Sequence, residues 1–381
     1  MKIFITIILV AFFIDGIKLL IESFSKKRSG FKHKRNKSKT SAVLASYNEP
    51  DLTNAIEGLK NEVSHFILID DNSSEFPLSS YFEEVGNEPI STFFRDDIKY
   101  TVIQNDVNKG KVPSIHMGIE YVDTEFVFIG DADIQISKDF EMPINLLEYN
   151  TCDAVCFSVM PMLKKKNIWE FLQIHEYMKS MHIGRSFANN SKSVECISGA
   201  SGLFKTERIK KFKNYHSQQW QGEDLERTLI ELYNNGRIAY DDQYVYTDVP
   251  NNFIDLSKQR IYGWWGGLYR NFLWYIKLLF KKDAPTRLKF EMFYNIVSFI
   301  LDPFKLISLY YILFTLNWIV LISLYIIYII FEFIVKNRIE FKTNTKNIIT
   351  SKYIFIYPFY GFIQLHLRLI ALVNLIYKKL R

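Results

Sequence analysis

The order of apolar and polar positions divides the chain into three textures. From Met1 to Phe24 it reads MKIFITIILVAFFIDGIKLLIESF, about the length that crosses a ~30 Å hydrocarbon core as a helix. Asp15 interrupts the apolar stretch and no small-x-small cleavage site follows, so this is a retained anchor rather than a cleaved signal peptide. From about Ser41 to Pro250 short apolar runs alternate with polar turns. SAVLASYNEP, HFILIDDNS, YTVIQND, FVFIGDADI and DAVCFSV each predict a buried strand ending at a polar or acidic tip, and Asp51 to Glu62 and Val112 to Tyr121 predict intervening helices. That alternation implies an α/β fold with a mostly parallel sheet, whose ligands sit at the carboxyl ends of the strands. After Pro250, LSKQRIYGWWGGLYRNFLWYIKLLFKKDAP mixes aromatic and cationic positions at helical spacing, as an interfacial helix does. The apolar run from Phe290 to Val335 would measure about 69 Å as helix, too long for one crossing, so two spans turning near Thr315 to Asn317 are expected. A last span covers about Tyr353 to Tyr377, and within it His366 and Arg368 need partners or a water-filled cavity.

Charge adds an orientation. The chain has 381 residues with 47 Lys+Arg against 41 Asp+Glu, a balance of +6. Eight of the bases (Lys26, Lys27, Arg28, Lys32, Lys34, Arg35, Lys37 and Lys39) lie in one acid-free stretch, and the remainder carries −2. A general nucleic-acid-binding surface is therefore not expected. Directly after the first apolar segment, the basic stretch places the following domain in the cytoplasm of an integral plasma (inner) membrane protein, and contact with anionic membrane lipids is a second role open to it. Lys336, Arg338, Lys342, Lys346 and Lys352 bring the loop before the last span back to the same side. One plus three spans would leave both termini outside, against which the terminal Lys378, Lys379 and Arg381 argue. The mean hydropathy of −0.02 averages over this segregation, and the 16% aromatic share excludes a disordered chain. Cys152, Cys156 and Cys196 form neither a CxxC pair nor an even set, which argues against a disulfide framework.

Three acidic clusters end apolar runs. Asp131-Ala132-Asp133 follows FVFIG, a spacing that lets a strand-end turn direct both carboxylates at one hard divalent ion, with diphosphate oxygens completing its shell. Asp70-Asp71-Asn72 follows HFILI and offers acceptors to a base or ribose. Glu223-Asp224 follows a glycine and opens a helix, where a carboxylate is either an ordinary N-terminal cap or a catalytic base.

YNEP at 47, DD at 70, NKGK at 108, DAD at 131, ISGASGLF at 197, GED at 222 and QRIYGWWGG at 259 together resemble the membrane-embedded family 2 glycosyltransferases. Those include the cellulose, chitin, hyaluronan and poly-N-acetylglucosamine synthases and the nodulation chitooligosaccharide synthases. The resemblance covers roughly residues 41 to 380. It implies a GT-A (Rossmann-like) cytosolic domain, flanked by about one N-terminal and three C-terminal transmembrane helices, that takes a nucleotide sugar, usually a UDP-sugar. Tyr47 and Glu49 would border the uracil with Asp70 and Asp71, and Lys111 would contact the nucleotide. Asp131 and Asp133 would hold Mg²⁺ or Mn²⁺, and Asp224, with Glu223 beside it, would be the general base. Ser198 and Gly199, in the segment Ser198 to Gly202, would shape the sugar and acceptor pocket. Gln259 and Arg260 match the start of the (Q/R)xxRW motif of processive members, but Tyr262 and Gly263 occupy its Arg-Trp positions and Trp264 stands just downstream. Arg260 would reach the diphosphate, and Trp264 would either stack an acceptor sugar or anchor an interfacial helix.

The expected organisation is a transmembrane helix at 1–24, a basic linker at 25–40, a GT-A catalytic domain at 41–255, the QRIYGWW segment and interfacial helix at 256–287, and a transmembrane region at 288–381. The expected activity is inverting transfer from a UDP-sugar, UDP-N-acetylglucosamine favoured, onto a growing glycan that the membrane spans carry outward. The alternatives are transfer of one sugar to a lipid acceptor, or a catalytically dead scaffold, against which retention of both DAD and GED argues. Oligomeric state leaves no mark on the sequence.

Overall fold

Runs of β-branched and aromatic residues that stop at polar tips form the strands. A computed structural model describes residues 2–25, 33–346 and 349–380 of the chain. Among the described residues the strands are β1 (Thr40–Ser46), β2 (His65–Asp70), β3 (Ile90–Arg95), β4 (Ile98–Gln104), β5 (Phe126–Asp131), β6 (Gln135–Ile136), β7 (Ala154–Pro161), β8 (Ser201–Lys205) and β9 (Ile238–Thr247). They make one sheet in the order β3-β4-β2-β1-β5-β8-β7-β9-β6. The expected strands are present, but the sheet is mixed rather than mostly parallel. β4, β2, β1 and β5 run parallel, as do β7 and β9, whereas β3/β4, β5/β8, β7/β8 and β6/β9 pair antiparallel. β8 pairs antiparallel with both β5 and β7 and so sits between them in the sheet. In the parallel half Ser46 lies opposite Asp70, Asp70 opposite Gln104, and Ala45 opposite Asp131, so four acidic or polar strand tips share one edge.

The chain divides into two units. One comprises Gly30–Met162 and Ser191–Asp248 and holds the whole sheet; the other comprises Met1–Ser29, Leu163–Asn190 and Val249–Arg381. Leu163–Asn190 thus clusters with the membrane helices although it lies between two strands of the sheet. In the first unit the described part of the basic stretch is tied down by ion pairs. Arg35 lies 2.8 Å from Glu62, and Lys39 3.1 Å from Glu125 and 3.2 Å from Glu148. Lys26, Lys27, Arg28 and Lys32 lie outside the described residues.

In the second unit the helix Lys2–Ser23 forms as expected. Three helices among the described residues are long and apolar enough to cross a membrane: Thr286–Phe314, Trp318–Thr343 and Tyr357–Lys378. The chain reverses between the first two at Thr315 to Asn317, where the Asn317 side chain accepts from the Val320 N–H and caps the new helix. The last span starts at Tyr357, a little later than the hydropathy pattern suggests, because Ser351–Ile354 forms a separate turn of helix. Several polar residues inside the spans find partners on a neighbouring helix or on their own. Asp15 accepts from Tyr294 Oη at 2.8 Å and pairs with Lys305 at 3.0 Å, and Arg368 pairs with Asp302 at 3.0 Å. His366 donates from Nδ1 to the Phe362 carbonyl, so its Nε2 accepts from Tyr310 Oη, both at 2.8 Å.

Candidate active site

At the shared edge of β2 and β4, Asp70 and Asp71 turn their carboxylates into the protein. Asp70 accepts from the Ser73 and Leu78 N–H groups at 2.8 and 2.7 Å, closing the loop after β2. Asp71 accepts from Asn105 Nδ2 at 2.7 Å and from the Lys109 and Gly110 N–H groups at 2.8 Å each, and from Ser114 Oγ at 3.1 Å. Both are buried. Gly110 has φ 87°, a left-handed conformation that glycine adopts without penalty, and it precedes the helix Lys111–Glu120. Asp71 therefore fixes the turn that delivers Lys111. Asn48 acts similarly on the neighbouring loop, its Oδ1 accepting from the Ser74 and Glu75 N–H groups. Tyr47 is exposed, and Glu49 Oε1 accepts from the Asp51 N–H at 2.9 Å.

Lys111 joins two of the acidic clusters. Its Nζ lies 2.5 Å from Asp131 Oδ1 and 3.3 Å from Glu223 Oε1. Burial opposes its charge, but Asp131 and Glu223 outweigh it and keep the ammonium protonated. The SGASG turn closes over this pair. A Cβ on Gly199 would lie 3.0 Å from Lys111 Nζ and 3.1 Å from Glu223 Oε1, so only glycine leaves both side chains where they are. The Gly199 N–H donates to Asp224 Oδ2 at 2.9 Å, while Ser198 Oγ accepts from the Ala200 N–H at 3.4 Å. Four motifs far apart in sequence, NKGK, DAD, SGASG and GED, thus meet around Lys111.

Glu223 and Asp224 open the helix Glu223–Tyr233 after Gly222, itself left-handed at φ 66°. The two carboxyls are pushed apart electrostatically. Burial raises Glu223, but Lys111 and then Arg227 overcome it and hold this carboxyl below its ordinary range. Burial first, and the adjacent Glu223 second, push Asp224 up to about 6 despite N–H bonds from Leu225 and Gly199. A carboxylate displaced toward neutrality is suited to taking up a proton. Arg227 escaped the sequence reading. Three and four positions beyond Asp224 and Glu223, it shares their helix face, a signal the spacing GEDLER already contained. His216 braces the same turn, donating from Nε2 to the Glu223 carbonyl at 2.9 Å and accepting from the Gln218 N–H through Nδ1.

Asp133 has the character of a metal ligand. Its Oδ1 is buried without a partner, and burial, followed by Asp131, Glu49 and Asp248, pushes its carboxyl up to about 7. An enclosed carboxylate oxygen facing other acids fits a divalent cation, which would relieve that repulsion. Among the described residues no three His, Cys, Asp or Glu side chains form a cluster able to hold a metal by themselves. Asp248 is a contributor that the motif reading did not single out.

Gln259, Arg260 and Trp264 lie in the second unit. Arg260 is wholly buried, with Nη2 2.6 Å from Glu176 Oε2 and Nη1 2.5 Å from Gln259 Oε1, and its guanidinium stacks 3.5 Å from the Trp264 ring centroid. One face of that tryptophan is thereby covered.

A mixed α/β sheet carrying these carboxylates at the carboxyl edge of its parallel half is a GT-A-like fold. Residues 41–208 match the family model for glycosyl transferase family 2. The match includes Tyr47 through Gly199 and ends before Glu223, Asp224 and the Gln259 segment. Among solved structures, a mannosyltransferase, PcManGT, from Pyrobaculum calidifontis in complex with GDP-Man and Mn²⁺ is similar over 99% of this chain and 99% of that chain, with TM-score 0.62 and 14% identity. S. aureus TarS 1-349 in complex with UDP-GlcNAc matches over 70% of this chain and 71% of that chain, with TM-score 0.45 and 16% identity. No curated protein sequence matches the chain.

Proposed function

We infer that the protein is a metal-dependent, inverting glycosyltransferase of the cytoplasmic membrane face, which uses a UDP-sugar, UDP-N-acetylglucosamine in first place, to elongate a polysaccharide exported through its spans. The observation carrying this reading is the convergence of Asp131, Lys111, Glu223, Asp224 and Gly199 in one site. Asp131 and Asp133 would hold Mg²⁺ or Mn²⁺, which when bound stabilises negative charge on the departing diphosphate. Lys111, now shared between two carboxylates, would turn to the diphosphate as the donor enters. Tyr47 and Glu49 would border the base, with Asp70 and Asp71 acting on it through the turns they brace, and Ser198 would line the sugar pocket. Asp224 takes the proton of the acceptor hydroxyl as its oxygen bonds to C1 and the C1–O bond to the nucleoside diphosphate breaks; attack from the opposite face inverts the anomeric centre. Glu223, held ionised by Lys111 and Arg227, keeps Asp224 basic.

Transfer of a single sugar to a lipid is the second reading. It is favoured by the covering of Trp264 by Arg260, which removes one face from acceptor stacking. A structure of similar fold binds GDP-Man and Mn²⁺, so the donor test includes GDP-mannose. Purified protein in nanodiscs, given a panel of nucleotide sugars, should release the nucleoside diphosphate from one UDP-sugar and only with Mg²⁺ or Mn²⁺. Turnover undiminished by a chelator would remove the metal from the reading, and turnover of GDP-mannose alone would replace the donor.

A further inference from the structure

The two carboxylates of the DAD motif are treated differently by the chain itself. Asp131 Oδ1 carries the Lys111 ammonium at 2.5 Å, and the same Nζ lies 3.3 Å from Glu223 Oε1. Asp133 Oδ1 is buried without a hydrogen-bond partner. One of the two proposed metal ligands is thus already neutralised by a cation of the protein, and the other is not. Lys111 is held to this position by its surroundings. It is the first residue of the helix Lys111–Glu120, directly after the left-handed Gly110, and Asp71 accepts from the Lys109 and Gly110 N–H groups of that turn. Gly199 lies against the ion pair, where a Cβ would be 3.0 Å from Nζ and 3.1 Å from Glu223 Oε1.

The pair is not sealed. The Lys111 and Asp131 side chains are 26% and 29% exposed, against 9% for Glu223, so a ligand can reach both from solvent. A lysine with rotatable methylenes can carry its charge to a new partner without moving the backbone. A divalent ion approaching Asp131 therefore meets an ammonium on the same carboxylate. Two cations there repel each other, so the ion binds Asp131 only at the cost of the pair already made. A nucleoside diphosphate offers Lys111 another partner. Its phosphate oxygens accept from the ammonium, which frees Asp131, and they also complete the shell of a hard divalent ion.

We propose that Lys111 is a positioning residue that reserves Asp131 until a nucleoside diphosphate arrives, so that the protein binds its divalent ion tightly only together with the diphosphate. This rests on the reading of Asp131 and Asp133 as metal ligands. Electron paramagnetic resonance of free Mn²⁺, titrated into the full chain in detergent with and without UDP, tests it without turnover. Wild type should bind Mn²⁺ weakly alone and tightly with UDP. Lys111→Met should bind Mn²⁺ alone about tenfold more tightly than wild type. Its further gain from UDP should shrink by the same factor, because the coupling is reciprocal. Lys111→Gln keeps a hydrogen-bond donor for Asp131 and should act in the same direction even where the methionine variant folds poorly. Arg227→Met removes a neighbouring charge that acts on Glu223, and it should leave the affinity for Mn²⁺ alone nearly unchanged. A lysine that only supports the fold predicts the opposite, weaker binding in both Lys111 variants. Equal or weaker binding of Mn²⁺ alone in those variants, or the same tightening in Arg227→Met, overturns the proposal and leaves the metal reading intact. No Mn²⁺ bound by any of these proteins, with UDP or without it, removes the metal reading and the proposal with it.

Discussion

Asp224, the proposed base, stands under opposing electrostatic influences. Its carboxyl is raised to about 6 by burial and by Glu223, against 3.8 for an ordinary aspartate. A general base must be ionised in the free enzyme, so kcat/KM should climb as pH rises through about 6 and level off above it. The same shift opposes folding. A carboxyl whose folded pKa is raised binds its proton more tightly in the folded state, so its contribution to stability is full below about 4 and is lost as pH rises through about 6. Asp224→Asn should lower kcat by about 10²-fold or more and abolish the inflection near pH 6 while leaving donor affinity within a few-fold, since Lys111 and Asp131 remain. Full activity, or an unchanged pH profile, would take the base role from this residue. Titration calorimetry with a UDP-sugar supplies the affinity.

At the scale of elements, the turn before Lys111–Glu120 depends on one buried carboxylate. Asp71 is bonded to two backbone N–H groups and two side chains there. Asp71→Asn would set its amide against one of those N–H groups, at a cost of about 1–3 kcal/mol, and displace Lys111. The expected result is a lower thermal midpoint in detergent together with a raised KM for the donor; an unchanged KM would mean that the turn does not position Lys111. Strands β1, β2, β4, β5 and β7 were legible because each is an apolar run buried on both faces, the pattern of a sheet interior. The others were hidden for separate reasons. β3 is largely exposed, β6 has only two residues, β8 is disguised by the small residues of SGASG, and β9 carries Asp241 and Asp242 in mid-strand. The carboxylates at strand tips were legible from spacing. The inward aim of Asp70 and Asp71 was not, because it depends on loop amides contributed from Ser73 to Gly110.

For the whole molecule, hydropathy located the three C-terminal helices, yet it gave no sign that Leu163–Asn190 leaves the sheet unit. The helix Ile168–Lys179 has an ordinary capping box, Asn167 with Glu170, and looks like any α/β crossover. Its allegiance lies in partners far along the chain: His175 and Lys179 both reach Glu332 at 2.6 Å, and Glu176 meets Arg260 and Tyr360. Such pairs cannot be read from one sequence, and they bear on the fate of the product. A polymerase must hold its acceptor between cycles, whereas a single-transfer enzyme releases it. Trp264, fixed by Arg260 on one face and tilted against Tyr177, is the aromatic residue proposed to contact a retained acceptor. If the protein polymerises, sizing of radiolabelled product should show a ladder or high polymer. Trp264→Ala should then shorten it several-fold while donor turnover stays within about twofold, because the proposed donor contacts lie on other residues. A single sugar recovered in the lipid extract, of the same size in both proteins, would instead establish the lipid-acceptor reading.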